Sequence, residues 1–237
     1  MIISHNKKFI FFCNGKVASS SIELALQDWD ETSYEQFPIH GLFSERHMPP
    51  AIAQSLIHKE LWNSYFKFTF VRNPYDWFVS SYKYNYRFSP GRWFMESVRN
   101  PLLAPYRLLK IIPFYRKSIK THFEESDVDD MITRLRRVRG LPHTESLMQT
   151  SYTQNINGDT LVDFIGKYED LQHDFNKLTN TLGIDASLQY INRSLNRKSN
   201  KRISFSKETR DKIYAYWEID FKNFEYSKDL PKKFDLV

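Results

Sequence analysis

The chain has 237 residues, 41% hydrophobic and 16% aromatic, which excludes a disordered protein and allows one substantial core. Its 34 Lys and Arg against 28 Asp and Glu give a formal charge of +6. That excludes an acidic solvating chain and favours an anionic partner, without choosing among nucleic acid, lipid, sulfated sugar and nucleotide phosphate. The single cysteine, Cys13, permits no intramolecular disulfide and reads as a buried structural thiol in a reducing compartment.

No window approaches the roughly 18 apolar residues of a spanning helix, and the first residues lack a signal-peptide pattern. The expectation is a soluble, cytoplasmic chain. Residues 8–13 read as a short buried strand ended by Asn14-Gly15. Ser20-Ser21-Ile22-Glu23 has capping-box spacing and opens a helix. Pro49 and Pro50 introduce a helical run from Ala51 to Leu61, with His58 on it. Phe66–Val71 alternates as a strand, and Pro74 opens the helix that carries Trp77, Phe78, Ser80 and Tyr82. Residues 87–150 break this rhythm and read as a helical or loop-rich insertion that shapes an acceptor site. From Ser97 to Phe123 it holds six basic residues and no acidic one, so contact with an anionic polymer or a peripheral membrane surface stands beside an ordinary solvated face. Thr160–Tyr168 resembles a strand, Leu171–Leu182 a helix closed by Gly183, and Ser206 caps a last helix from Lys207 to about Phe224. Strands alternating with helices predict a single α/β domain over 1–237, with a mainly parallel sheet flanked by helices in a three-layer, P-loop-like arrangement.

Two strand-to-helix junctions carry the chemistry. In the first, Gly15-Lys16-Val17-Ala18-Ser19-Ser20-Ser21, helix-start N–H groups, a lysine and three hydroxyls suit a phosphate or sulfate. A Walker loop would need Gly at Ile10 and Ser or Thr at Val17, so the match to an ordinary ATP-binding loop fails. In the second, Arg72 ends a strand and Ser80 lies on the next helix, a guanidinium and a hydroxyl suited to a terminal phosphate. Taken alone, this junction reads equally as an Arg72–Asp76 ion pair.

Together, in this order and with Arg72 and Ser80 eight residues apart, the junctions resemble the sulfotransferase superfamily, which uses 3′-phosphoadenosine 5′-phosphosulfate (PAPS). The likeness is to its carbohydrate branch, including uronyl 2-O-sulfotransferases and bacterial relatives, and extends to Glu60–Phe68 and Val162–Leu171. It implies that Lys16, Val17, Ala18, Ser19, Ser20 and Ser21 hold the 5′-phosphosulfate, and that Arg72 and Ser80 hold the 3′-phosphate. Arg197 and Lys198, in the basic run 192–202, would lie near the cofactor. The product would be adenosine 3′,5′-bisphosphate and the acceptor a hydroxyl, on an oligo- or polysaccharide. By the same likeness His47 is the catalytic base, with His40 second and Glu45 after it. No metal and no nucleic acid are expected, and the chain reads as bacterial. The family's proline before the motif lysine is Gly15 here, which relaxes the turn. The competing reading is a basic binder of anionic polymer or nucleic acid without catalysis.

Overall fold

In the computed structural model, described over residues 1–32, 45–85, 120–139, 148–189 and 202–237, the apolar run after Lys8 is a fully buried strand, β2 (Phe9–Phe12). Before it lies β1 (Ile2–Ser4), which pairs antiparallel with β2 and has too few residues to stand out as a pattern. The helices of this part are α1 (Ser19–Leu26), α2 (Pro50–Leu56) and α3 (Lys59–Ser64). Strand β3 (Phe66–Val71) and helix α4 (Pro74–Asn85) follow, at the residues the sequence predicts.

Contacts divide the chain into two compact units. The first comprises Met1–Asn73, Leu135–Ser199 and Trp217–Tyr226; the second comprises Pro74–Arg134, Asn200–Tyr216 and Ser227–Val237. Among the described residues the first unit is built on a four-stranded sheet in the order β1-β2-β3-β5, where β5 is Phe164–Lys167. Both β2–β3 and β3–β5 are parallel, with Phe12 opposite Thr69 and Val71 opposite Lys167. The fold is α/β, with a mainly parallel central sheet flanked by helices.

Alternation along β2 sends Ile10 and Phe12 to one face, where they pack with Ala53 of α2 and Trp62 of α3. Phe11 stacks on Phe68, their centroids 5.2 Å apart, and both are fully buried. Each such side chain contributes about 2 kcal/mol by leaving water. Gly166 is the only residue type that fits its place on β5, since a β-carbon there would lie 2.2 Å from Cε1 of Phe70.

Several predicted elements are corrected. The run Ala51–Leu61 is two helices, because Ile57 and His58 are extended. Ala53 and Trp62 are nine residues apart, about two and a half turns, so an unbroken helix would put them on opposite faces. The break lets both enter one core, and His58 becomes the exposed N-cap of α3 instead of a helical residue. Strand β5 begins only at Phe164, because Thr160 bridges back to Gln154 and the Asp163 N–H donates to the Lys67 carbonyl. Helix α6 (Leu171–Leu182) ends on left-handed Gly183 as predicted.

Among its described residues the second unit holds a three-stranded parallel sheet in the order β4-β6-β7, formed by β4 (His122–Phe123), β6 (Ile203–Phe205) and β7 (Phe234–Leu236). Its helices include α4, α5 (Glu125–Arg139) up to Arg134, and α7 (Lys207–Tyr216). Phe78, Tyr82, Phe123, Phe205 and Phe234 form its aromatic core. Within the span 87–150, therefore, residues 122–134 supply a strand and most of a helix to this unit. Ser206 caps α7 as expected, its hydroxyl accepting the Thr209 N–H. The last helix does not run on to Phe224: it stops at Tyr216, and a separate helix, α8 (Glu218–Asn223), belongs to the first unit.

Candidate active site

Parallel pairing of β2, β3 and β5 brings their carboxyl ends to one edge of the sheet, and ligands of open α/β sheets gather at such ends. The residues that follow these ends are Asn14–Ala18, Arg72 and Tyr168. Through the loop after β2 the sign of φ alternates: Lys16 (φ 69°) and Ala18 (φ 66°) are left-handed, whereas Gly15 and Val17 are not. Such alternation turns successive N–H groups toward one concavity, an anion-holding nest, and the first N–H groups of α1 add to it. Ala18 is the N-cap of α1 and no side chain caps the helix, which corrects the capping-box expectation for Ser20 and Glu23. Glu23 instead binds the Arg46 guanidinium through both carboxylate oxygens, and Arg46 Nη2 also donates to Ser20 Oγ at 2.9 Å.

Arg72 ties the second junction to the first. Its Nη1 donates to the Lys16 carbonyl at 2.9 Å, and its guanidinium lies 3.9 Å from the ring centroid of Tyr168. The stack follows from register: Val71 faces Lys167, so the next residues on the two strands are neighbours. The Arg72 bond thereby holds the Lys16 carbonyl in place. The alternative partner of Arg72, Asp76, pairs with Lys233 at 2.7 Å in the second unit.

His47 ends a short 3-10 turn, Glu45–His47, beside the loop. Its Nδ1 is 2.8 Å from the Cys13 carbonyl, three residues before Lys16. A carbonyl only accepts, so Nδ1 carries the hydrogen and Nε2 of the neutral ring carries the lone pair. Tyr152 Oη donates to the His47 carbonyl at 2.8 Å and holds the residue from its other side. Burial pushes the Cys13 thiol up to about 11, which suits a structural thiol.

The predicted residues thus distribute as follows. Lys16, Val17, Ala18, Ser19, Ser20, Ser21, Arg72 and His47 all belong to the first unit. Val17 is fully buried and reaches the nest only through its backbone. Ser19 Oγ donates to the Asn14 carbonyl and so braces the loop, and Ser20 Oγ accepts from Arg46. Ser80 sits half-buried on α4, in the second unit. His40, Arg197, Lys198 and residues 97–119 of the basic segment lie outside the described residues, as does the side chain of Glu45.

Sequence reasoning missed Tyr168, Gln149 and Asp220. Tyr168 directly follows a strand end, which is a usable signal once the register is known. Gln149 opens a 3-10 turn, Gln149–Tyr152, and its amide grips the Arg72 backbone at both ends. The Arg72 N–H donates to Gln149 Oε1 (2.9 Å) and Gln149 Nε2 donates to the Arg72 carbonyl (2.7 Å). Asp220 is fully buried on α8, and burial pushes its carboxyl from 3.8 up to about 6 against the hydrogen bonds that favour its charge. The folded value exceeds the unfolded one, so the fold takes up this proton as pH falls, and the group's contribution to stability rises from pH 6 towards pH 4. Relative to Asp220→Asn, the parent chain should gain about 2 kcal/mol between roughly pH 7.5 and 4.5 in denaturant titrations. A pH-independent difference would exclude a carboxyl titrating in this window.

A family model described as "Sulfotransferase family" matches residues 1–227. The chain belongs to the sulfotransferase family. Among curated proteins, "Carbohydrate sulfotransferase 11" of Rattus norvegicus and its namesake in Mus musculus are each 26% identical to it over 172 residues. That alignment covers 69% of this chain and 47% of theirs, so the sulfotransferase chain spans about half the length of the curated relatives it matches. No solved structure matches it. Among its described residues no helix is long and apolar enough to cross a membrane, and no cluster of His, Cys, Asp or Glu is arranged to hold a metal ion.

Proposed function

We infer that the protein transfers a sulfuryl group from PAPS to a hydroxyl of a carbohydrate. The observation that carries this reading is the hydrogen bond from Arg72 to the Lys16 carbonyl, which joins the two anion-holding motifs directly. The donor set fits a doubly phosphorylated nucleotide: an alternating-hand loop at a helix start, a lysine, and a guanidinium one residue beyond the neighbouring strand. The carbohydrate acceptor is supported by the names of the curated relatives.

When bound, PAPS supplies a sulfuryl group carried on a phosphate oxygen, and transfer to the acceptor oxygen breaks that S–O bond. Lys16 and the loop N–H groups hold the negative charge that collects on the departing phosphate oxygen. His47 Nε2 takes the acceptor's hydroxyl proton, and the Nδ1–H bond to the Cys13 carbonyl keeps the ring oriented as it becomes cationic. Arg72 would hold the 3′-phosphate through its guanidinium.

Calorimetric titration with adenosine 3′,5′-bisphosphate, against adenosine 5′-phosphate and ATP, tests the reading. Selective binding of the bisphosphate is expected, followed by label transfer from PAPS in an oligosaccharide screen. Absence of binding by folded protein would overturn it and favour a polymer-binding role with steep salt dependence. Arg72→Ala should weaken the bisphosphate about a hundredfold, through the lost charge-assisted bonds, and adenosine 5′-phosphate much less. Equal losses would show that Arg72 does not read the 3′-phosphate.

A further inference from the structure

The loop after β2 and the residue after β3 both lie beyond the last ladder hydrogen bonds of their strands, so the sheet alone does not hold them. Gln149 takes over there. Its side-chain amide completes a two-bond ring with the backbone of Arg72, as a neighbouring strand would. The same Oε1 lies 3.4 Å from Asn14 Nδ2, which also donates to the Phe70 carbonyl at 3.1 Å. One oxygen therefore accepts from the base of the Lys16 loop and from Arg72 together. Gln149 and Asn14 are both buried, at 1% and 3% exposure, so water does not replace these bonds.

Gln149 is itself fixed from behind. Asp220 Oδ2 accepts the Gln149 N–H at 2.9 Å, and Oδ1 accepts both the N–H (2.8 Å) and the hydroxyl (2.7 Å) of Thr150. This carboxylate closes the start of the 3-10 turn, whose N–H groups have no partner within it. From the far end of the same helix, Asn223 Nδ2 reaches Thr150 Oγ1 and Gln154 Oε1. α8 thereby clamps the turn at two points.

We propose that Gln149 is a positioning residue: its amide, held by the buried Asp220 carboxylate, ties Asn14 at the base of the Lys16 loop to Arg72, so that the two anion-holding motifs meet one ligand as a unit. The proposal rests on the PAPS reading for its ligand and on the hydrogen bonds alone for the coupling. It accounts for a buried carboxylate and a buried amide that touch no reacting atom yet are bonded at every oxygen.

The test is a double-mutant cycle in the full chain, read by calorimetry with adenosine 3′,5′-bisphosphate. Gln149→Leu removes the amide at similar size and should weaken binding about tenfold or more. In the Arg72→Ala background the same change should cost clearly less, because the guanidinium it places is gone and only the tie to Asn14 at the Lys16 loop remains to be lost. Gln149→Glu keeps the acceptor and loses the donor, so it should fall between Leu and the parent; it carries the same cycle if the leucine variant does not fold. Unchanged binding, or losses that add in full across the two backgrounds, would overturn the proposal. Amide hydrogen exchange at Arg72 in the unliganded chain separates this idea from the functional reading. If the parent chain does not bind the bisphosphate but Gln149→Leu, which removes the acceptor of the Arg72 N–H, speeds Arg72 exchange at least tenfold, the functional reading falls and the positioning role stands. Exchange no faster than in the parent overturns the role.

Discussion

Lys16→Ala is expected to lower sulfuryl transfer by about two to three orders of magnitude, the usual cost of losing one preorganised donor to a developing oxyanion. The substitution isolates the ammonium. Lysine and alanine bear the same left-handed penalty at φ 69°, so the backbone has no new reason to relax, and the Lys16 carbonyl still accepts from Arg72. Turnover with labelled PAPS, beside circular dichroism of the variant, checks it. Near-normal turnover would remove the ammonium from the mechanism. Lys16→Arg is a useful companion, since it restores charge but replaces a compact ammonium with a planar fork, and only partial recovery is expected.

His47→Asn should leave bisphosphate affinity within about twofold while turnover falls by about two to four orders of magnitude, the range for a positioned base. Asparagine is chosen because its amide nitrogen occupies the place of Nδ1 and can still donate to the Cys13 carbonyl, so the turn is kept and only the lone pair at Nε2 is lost. Separate measurement of nucleotide binding and of turnover checks the split. An active variant would pass the proton-accepting role to His40 or Glu45, and a variant that loses binding as well would make His47 a structural support of the loop.

The parts of the fold legible in the sequence were those whose signals are local. β3 and α4 are marked by a six-residue apolar alternation and a proline, and the end of α6 by Leu182-Gly183. The second sheet was invisible because its strands have two or three residues, and His122 pairs with Ser204, 82 positions away. The break at Ile57–His58 was hidden for another reason: a helical pattern gives periodicity, but only the position of the sheet decides that Ala53 and Trp62 must share a face. The site divides along the same line. Lys16, Arg72 and His47 stand in contiguous motifs whose chemistry can be read directly. Gln149 and Tyr168 matter through register and through bonds spanning 71 residues or more, and the capping-box spacing at Ser20 misled because Arg46, distant in sequence, takes both of its polar side chains.

The gathering of the carboxyl ends of β2, β3 and β5 at one edge of the sheet bears on how such a protein can diversify. Chain added between two of these strands leaves their ends side by side, so the connecting segments are open to drift in length and composition. One residue inserted within a strand displaces its end by about 3.3 Å and turns every later side chain to the opposite face. Evolutionary novelty in this architecture is therefore channelled into the segments that join the strands, while the strands themselves tolerate exchange of residues but not change of length.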